Sequence, residues 1–290
     1  MTCTLKRGAV TAEIETVGAE LTSLRRGDCE YLWQGDPTYW ASRAPVLFPI
    51  CGRLYRGVYQ WKGNSYEMNI HGFVRKLGFT VAEKADDIVT MTLCSDDRTR
   101  AIYPFDFILS ITYSLDAEGL NARISVRNTG NERLPFAFGA HPGFRVPLEP
   151  GLDFTDYRIT FSRSASPAQL CFSETCFQTG REEPFALQPG KILPLRHDLF
   201  DNDAIFLKNV GEEVTLTSPR GIRGVRVSYP EFPYLGLWHR PKSDAPYVCI
   251  EPWTGLPSFD GVVDDLETKT DLFRLPAGET KELSYRIGLL

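Results

Sequence analysis

Long hydrophobic runs are missing from this sequence. None of its 290 residues belongs to an uninterrupted apolar stretch of about 18 residues, the length that suggests a transmembrane helix. The amino-terminal residues MTCTLKRGAVTAEIE also have no apolar core of the kind that signal peptides carry. We therefore expect a cytoplasmic protein without a membrane partner.

Clustered positive charge and paired cysteines are missing as well. The 32 Lys and Arg residues are dispersed among 37 Asp and Glu residues, for a net charge of −5, so a nucleic-acid partner is not expected. The cysteines are odd in number and irregular in spacing, and they include no C-x-x-C pair: Cys3, Cys29, Cys51, Cys94, Cys171, Cys176 and Cys249. This usage favours reduced thiols over a disulfide framework or a structural zinc site.

The sequence has no convincing amphipathic helix, whereas alternation with a period of two residues recurs along its length. Alternate residues are apolar in 111–115 and again in 120–126, and the intervening DAEG has the composition of a turn. The 24 glycines and 20 prolines interrupt the chain at short intervals. This pattern predicts an all-β protein with a large antiparallel β-sandwich, formed as a single domain over residues 1–290.

One of only four histidines, His141, lies in the stretch FAFGAHPGF. If this stretch is extended, Phe136 and Phe138 lie on one face while Ala137, Gly139 and His141 lie on the other. Small neighbours beside an imidazole leave space for a ligand, although a histidine hydrogen-bonded within the packing is the alternative. The following proline predicts that His141 lies at the end of a strand.

The stretch PYVCIEPWTG places Glu251 in a predicted strand. Tyr247 and Cys249 share its face, and Val248 and Ile250 lie on the opposite face. Burial of a carboxylate after such an apolar run is unfavourable unless a partner compensates it, and burial shifts the pKa toward values useful for a catalytic base. A glutamate exposed at the strand end is the alternative.

Three further polar residues border apolar segments. Arg53 follows APVLFPICG, and its donors suit hydroxyl oxygens or a carboxylate, although a surface ion pair is the alternative. His71 precedes Gly-Phe, where a structural role is the alternative, and Asp203 precedes AIFL, where an acidic turn is the alternative. The remaining histidines, His197 and His239, have more polar neighbours and are predicted to lie at the surface.

Five motifs, taken in order, resemble those of the aldose 1-epimerase (galactose mutarotase-like) family, and most closely its bacterial LacX-like branch. They are FPICGRL, IHGFVR, FGAHPGF, FDNDAIFL and CIEPWTG. Each motif alone is weak, but five in the family's order over essentially the whole chain are specific. The resemblance implies the galactose mutarotase-like supersandwich, a large antiparallel β-sandwich that agrees with the strand pattern.

The resemblance also implies a role for each candidate residue. His141 matches the family's general acid and Glu251 its general base. His71 matches a second active-site histidine, Arg53 an arginine that holds the substrate, and Asp203 an acid that binds sugar hydroxyls. The acid and the base are expected on opposite edges of a bound pyranose.

The chemistry of the family is the interconversion of α and β anomers of an aldose. A base takes the proton of the C1 hydroxyl, an acid protonates the ring oxygen, the C1–C2 bond rotates, and the ring closes on the other carbonyl face. Because proton transfers complete this reaction, no metal and no organic cofactor are expected. The expected partner is a small-molecule sugar, and the protein is expected to be a monomer or a homodimer.

Several alternatives remain at this point. A related branch acts on hexose 6-phosphates, and Arg75 or Arg145 are candidates for a phosphate contact. A glycosidase using Glu251 and Asp203, or a metal site using His71, His141 and Glu251, would use the same residues differently. A non-catalytic carbohydrate-binding β-sandwich protein is the last alternative.

Overall fold

Regular structure in this protein is almost entirely β. The computed structural model describes residues 1–162 and 165–290. The strands of the amino-terminal half are β1 (Thr2–Arg7), β2 (Val10–Glu15), β3 (Leu21–Arg26), β4 (Cys29–Glu30), β5 (Val46–Leu47), β6 (Val58–Trp61), β7 (Asn64–Glu67), β8 (Thr80–Lys84), β9 (Ile88–Cys94), β10 (Phe107–Leu115), β11 (Gly119–Asn128), β12 (Leu134–Phe136), β13 (Gly139–Ala140) and β14 (Gly143–Arg145). Those of the carboxy-terminal half are β15 (Arg158–Phe161), β16 (Ala168–Phe172), β17 (Gln178–Pro184), β18 (Ile192–Pro194), β19 (Ile205–Lys208), β20 (Glu213–Thr217), β21 (Gly224–Ser228), β22 (Tyr234–Trp238), β23 (Tyr247–Trp253), β24 (Phe273–Leu275) and β25 (Thr280–Leu289). The predicted all-β class is confirmed.

Helical structure in the described residues is confined to short segments. The α-helix α1 (Asp97–Ile102) begins after Asp96, whose carboxylate accepts a hydrogen bond from the Thr99 N–H. Its six residues are too few to show a 3.6-residue period, which is why the sequence pattern did not predict it. The 3₁₀ segments span Tyr55–Gly57, Val74–Lys76, Phe154–Asp156 and His197–Phe200. None of the described helices combines the length and the apolar character needed to cross a membrane.

A nine-stranded antiparallel sheet contains the strands whose alternation is clearest in the sequence. Its strand order is β18-β15-β20-β21-β25-β11-β10-β9-β8. The predicted hairpin is confirmed, because β10 and β11 pair from Phe107 with Asn128 to Leu115 with Leu120. At the turn, the carboxylate of Asp116 accepts hydrogen bonds from two following backbone N–H groups.

The second large sheet has eight strands and supports the candidate site. Its order is β17-β16-β19-β22-β23-β13-β5, and β14 also pairs with β23. On one face of β23, Val248 and Ile250 belong to the same apolar cluster as Ile124 and Ile287 of the nine-stranded sheet. The two large sheets therefore share one core, as the layers of a sandwich do. The opposite face of β23, which includes Glu251, points away from this core.

The smaller sheets complete the described structure. They are the four-stranded sheet β1-β2-β3-β4, the hairpin β6-β7 and the pair β12-β24. The main apolar cluster reaches from Cys3 in β1 to Leu289 in β25. Because residues near both ends contribute to one core, we propose that residues 1–290 form a single domain.

Candidate active site

A cavity of about 330 Å³ lies beside the outer face of β23. This volume is at the lower end of the range of about 300–1,000 Å³ that is typical of small-molecule sites. The five predicted site residues all line the cavity: Arg53, His71, His141, Asp203 and Glu251. They come from segments spread over about two hundred positions of the sequence, and the tertiary fold brings them together.

Glu251 and His141 are in direct contact in the cavity. His141 follows β13, which pairs with β23 at Gly139 and Trp253, and Glu251 lies within β23. The distance from His141 Nε2 to Glu251 Oε2 is 3.2 Å. No pyranose fits between two atoms at this distance, so the expected placement on opposite edges of the sugar is wrong. The contact suits the chemistry better, because the C1 hydroxyl oxygen and the ring oxygen are bonded to the same carbon.

Burial shifts the proton affinities of both members of this pair. Glu251 is 2% exposed and His141 is 8% exposed. Burial raises the pKa of Glu251 well above its usual range, and the nearby carboxylate of Asp203 raises it further. Burial lowers the pKa of His141 to about 3. At a pH between these two pKa values, His141 and Glu251 therefore share one titratable proton. The pair has no net charge whichever of the two residues carries that proton.

His71 presents an N–H group to the cavity. Its Nδ1 accepts a hydrogen bond of 3.0 Å from the Gly52 N–H, so the neutral ring carries its proton on Nε2. Burial lowers the pKa of His71 well below its usual value, and the neighbouring His141 adds to this effect. The ring therefore acts as a neutral hydrogen-bond donor.

The loop that holds His71 requires glycine at the next position. His71 and Gly72 both adopt positive φ values, 65° and 74°. A Cβ at Gly72 would lie 2.0 Å from the Phe48 carbonyl oxygen, a distance that no side chain tolerates. The HGF motif is thus explained by the close approach of this loop to β5 and the residues after it.

Asp203 lies in a tight turn before β19 and faces the cavity. Its φ is 76°, and its Oδ1 accepts a hydrogen bond of 3.0 Å from the Ala204 N–H. Its Oδ2 accepts a hydrogen bond from the Cys176 thiol at 3.0 Å. Burial and this carboxylate raise the pKa of Cys176 to about 11, so the thiol stays protonated and acts as a donor. No motif or alternation in the sequence distinguishes Cys176 from the other cysteines.

Two arginines bring positive charge to the cavity. Neither Arg53 nor Arg75 donates a side-chain hydrogen bond to any residue in the described part of the chain, and both line the cavity. Burial lowers the pKa of Arg75, although the carboxylate of Glu20 opposes this effect. Arg145, the other arginine considered for a phosphate, is exposed on β14 and lies outside the cavity lining.

Aromatic rings enclose the pair of catalytic candidates. The ring of Trp40 stacks on His141 with a centroid distance of 4.9 Å and an interplanar angle of 28°. Trp238 contacts His141 edge-on at 5.8 Å, and Trp253 contacts His71 edge-on at 5.5 Å. Trp40 and Trp238 were not predicted, because no motif or alternation distinguishes them from core aromatics. Phe73, two residues after His71, does not line the cavity and packs in the core against Tyr103 and Phe107.

The remaining histidines form a separate pair, and the prediction that both lie at the surface is wrong for one of them. His239 is fully buried, and its Nε2 lies 3.1 Å from His197 Nδ1. Its own Nδ1 lies 2.7 Å from the Arg240 carbonyl oxygen, so that nitrogen carries a proton. Burial lowers the pKa of His239 to about 4. Polar sequence neighbours concealed this burial because they occupy the loop, while the ring itself points inward.

Among the described residues, one group has atoms close enough together to hold a metal ion. It consists of His141, Cys249 and Glu251, whose potential ligand atoms lie within 4.8 Å of one another. His71, which the sequence suggested as a ligand, is not part of this group. The thiol of Cys249 is fully buried, and burial raises its pKa well above the usual value.

Comparison with known proteins identifies the family. A family model described as aldose 1-epimerase matches residues 1–287. The chain belongs to the aldose 1-epimerase family. Protein LacX (chromosomal) of Lactococcus lactis subsp. lactis is 34% identical over 299 residues, covering 100% of both chains. The family membership that the five sequence motifs suggested is therefore confirmed.

Solved structures related to this aldose 1-epimerase family member agree with the fold. A galactose mutarotase-like protein from Lactobacillus casei ATCC 334 is 34% identical, with a TM-score of 0.94 and 100% of both chains covered. A galactose mutarotase related enzyme from Lactobacillus acidophilus is 30% identical, with a TM-score of 0.93, covering 100% of this chain and 97% of that one. The predicted galactose mutarotase-like β-sandwich is confirmed. Family and structures together support a carbohydrate epimerase, an enzyme of the isomerase kind.

Proposed function

We propose that this protein is an aldose 1-epimerase (mutarotase) that interconverts the α and β anomers of an aldose. The observation that supports this proposal most directly is the 3.2 Å contact between His141 and Glu251 inside a cavity suited to a small molecule. An acid and a base that touch each other can serve two oxygens bonded to one carbon. The hemiacetal carbon of an aldose carries such a pair of oxygens.

Ring opening transfers two protons. With the pair in its charged form, Glu251 takes the proton of the C1 hydroxyl while His141 gives its proton to the ring oxygen. The C1–O5 bond breaks, C1 becomes a carbonyl carbon, and the pair is left with the proton on Glu251. After rotation about C1–C2, the reverse transfers close the ring on the other face. The single proton of the pair is conserved, so each turnover restores the starting state.

The other lining residues orient the sugar in this scheme. The Nε2–H of His71 and the guanidinium of Arg53 donate hydrogen bonds to sugar oxygens and stabilise developing negative charge. The carboxylate of Asp203 accepts hydrogen bonds from sugar hydroxyls. Trp40 and Trp238 limit the access of water to His141 and fix its ring, which favours transfer to the sugar over transfer to solvent.

Polarimetry with freshly dissolved α-glucose or α-galactose tests the proposal. We expect the wild-type protein to accelerate the approach to the equilibrium rotation in proportion to its concentration. A chelator is expected to leave this rate unchanged, because the scheme uses only proton transfers. A spontaneous time course with every aldose would contradict the proposal and favour a carbohydrate-binding protein, and sugar released from a chromogenic glycoside would favour a glycosidase.

A hexose 6-phosphate is the second candidate substrate, and Arg75 is the observation in its favour. The guanidinium of Arg75 lines the cavity without a hydrogen bond to another described side chain. Partly buried guanidinium groups suit phosphate, which they bind with paired hydrogen bonds.

Substitution of this arginine distinguishes the two substrates. If the substrate is phosphorylated, Arg75→Gln is expected to lower kcat/KM for hexose 6-phosphates about 10- to 100-fold and to leave the free hexoses nearly unchanged. Exchange NMR of free and 6-phosphorylated aldoses gives both values. The matched control is Arg145→Gln, on an exposed arginine outside the cavity. An equal effect of Arg75→Gln on both kinds of sugar would contradict a phosphate role.

A further inference from the structure

A second depression in the surface adjoins the catalytic cavity. Its volume is about 610 Å³, and it shares Arg53 and Ile70 with that cavity. Its aromatic residues are Tyr55 and Phe177, whose ring centroids lie 5.3 Å apart at an interplanar angle of 68°. We name this depression the aromatic groove.

The aromatic groove and the catalytic cavity are built from the same two chain segments. Residues 52–57 contribute Gly52 to the cavity, Arg53 to both, and Tyr55 to the groove. Residues 173–177 contribute Cys176 to the cavity and Phe177 to the groove. Arg53 and Ile70 therefore mark the place where a ligand longer than one sugar residue would reach from the cavity into the groove.

The lining of the aromatic groove has the chemistry of a carbohydrate site. Tyr55 and Phe177 are partly exposed and offer apolar ring surface. Asn69, Thr175 and Asp260 are exposed polar residues in the same lining. A pyranose has C–H groups that pack on aromatic rings and hydroxyls that need hydrogen-bond partners, so it matches both features.

The aromatic groove adjoins the part of the catalytic cavity that is lined by Arg53 and Ile70. The acid–base pair and the tryptophans around it line the cavity but not the groove. Mutarotation needs a free C1 hydroxyl, so a larger substrate must extend from another hydroxyl of the same sugar. We propose that the aromatic groove binds the second residue of a reducing oligosaccharide whose reducing-end aldose occupies the catalytic cavity. This inference rests on the proposed mutarotase function.

The test compares monosaccharides with reducing disaccharides. Wild-type kcat/KM is measured by polarimetry or exchange NMR for glucose, galactose and a panel of 3-, 4- and 6-linked reducing disaccharides. At least one disaccharide is expected to exceed its reducing-end monosaccharide, and Tyr55→Ala and Phe177→Ala are each expected to lower its value about 2- to 10-fold. Both variants are expected to leave the monosaccharide values unchanged. Phe185→Ala is the matched control, because Phe185 is a partly exposed aromatic in a different depression.

Each outcome of this test decides the inference. If no disaccharide exceeds its monosaccharide, or if the variants affect both classes equally, the proposal is overturned. If Phe177→Ala fails to fold by circular dichroism, Phe177→Leu keeps apolar volume without the aromatic face and replaces it. If the wild-type protein does not accelerate the mutarotation of any aldose, the proposed mutarotase function is wrong, and this result alone does not decide whether the groove binds sugar. In that case, binding to the groove is tested by calorimetry. The proposal requires that a disaccharide binds more tightly than a monosaccharide, and that Phe177→Ala abolishes this difference.

Discussion

The variant Glu251→Gln is expected to lose about 10²- to 10⁴-fold in kcat for mutarotation. Glutamine preserves the size and much of the hydrogen bonding of the side chain, but its amide does not accept a proton from the C1 hydroxyl. It also removes the negative charge that Glu251 carries when the proton is on His141. Polarimetry of a fresh α-aldose, corrected for the spontaneous rate, gives the value. KM is expected to change much less than kcat, because the change acts on the proton transfer.

Glu183→Gln is the matched control for this prediction. Glu183 is exposed on β17 and lies outside the cavity lining, so its substitution is expected to leave kcat unchanged. A Glu251→Gln protein that folds normally and equilibrates the sugar at the wild-type rate would remove Glu251 from the mechanism.

His141→Asn is expected to produce a loss of similar size, about 10²- to 10⁴-fold in kcat. Asparagine keeps a polar group in the pocket, but its amide does not deliver a proton to the ring oxygen. Because His141 and Glu251 share one proton across a 3.2 Å contact, the two substitutions are expected to be strongly non-additive. The double variant should therefore be only slightly less active than the less active of the two single variants.

The double variant provides the sharper criterion for this second prediction. Losses that multiply would show that the two residues act independently, which the shared proton does not allow. His197→Asn is the matched control, because His197 belongs to the separate pair with His239. We expect that control to leave kcat near the wild-type value.

The sequence predicted the fold class because β-sandwich strands leave a local signature. Alternation in 111–115 and 120–126 predicts two paired strands without any knowledge of the rest of the chain, and β10 and β11 form that hairpin. The order of the nine strands in the large sheet, in contrast, has no local signature in the sequence. β11 pairs with β25, more than 150 residues later in the chain, and no local pattern encodes that partner.

The small residues beside His141 have a different role from the one that the sequence predicted. The small residues beside it were interpreted as space for a ligand. In the structure, a Cβ on Gly139 would lie 2.8 Å from a Trp253 ring atom and 2.9 Å from the Cys51 sulfur. The glycine therefore makes room for side chains of neighbouring segments, while the cavity itself lies beside His141. The alternation of faces was nevertheless right, since Phe136 and Phe138 pack in the core.

By itself, the sequence determined the all-β class, the family motifs and the five polar candidates, because strand alternation and short motifs are properties of contiguous residues. Only the tertiary structure decided that the acid and base touch, that burial shifts their pKa values in opposite directions, and that Trp40, Cys176 and Arg75 share their cavity. Contact and desolvation depend on residues far apart in the chain, and no local pattern contains that information.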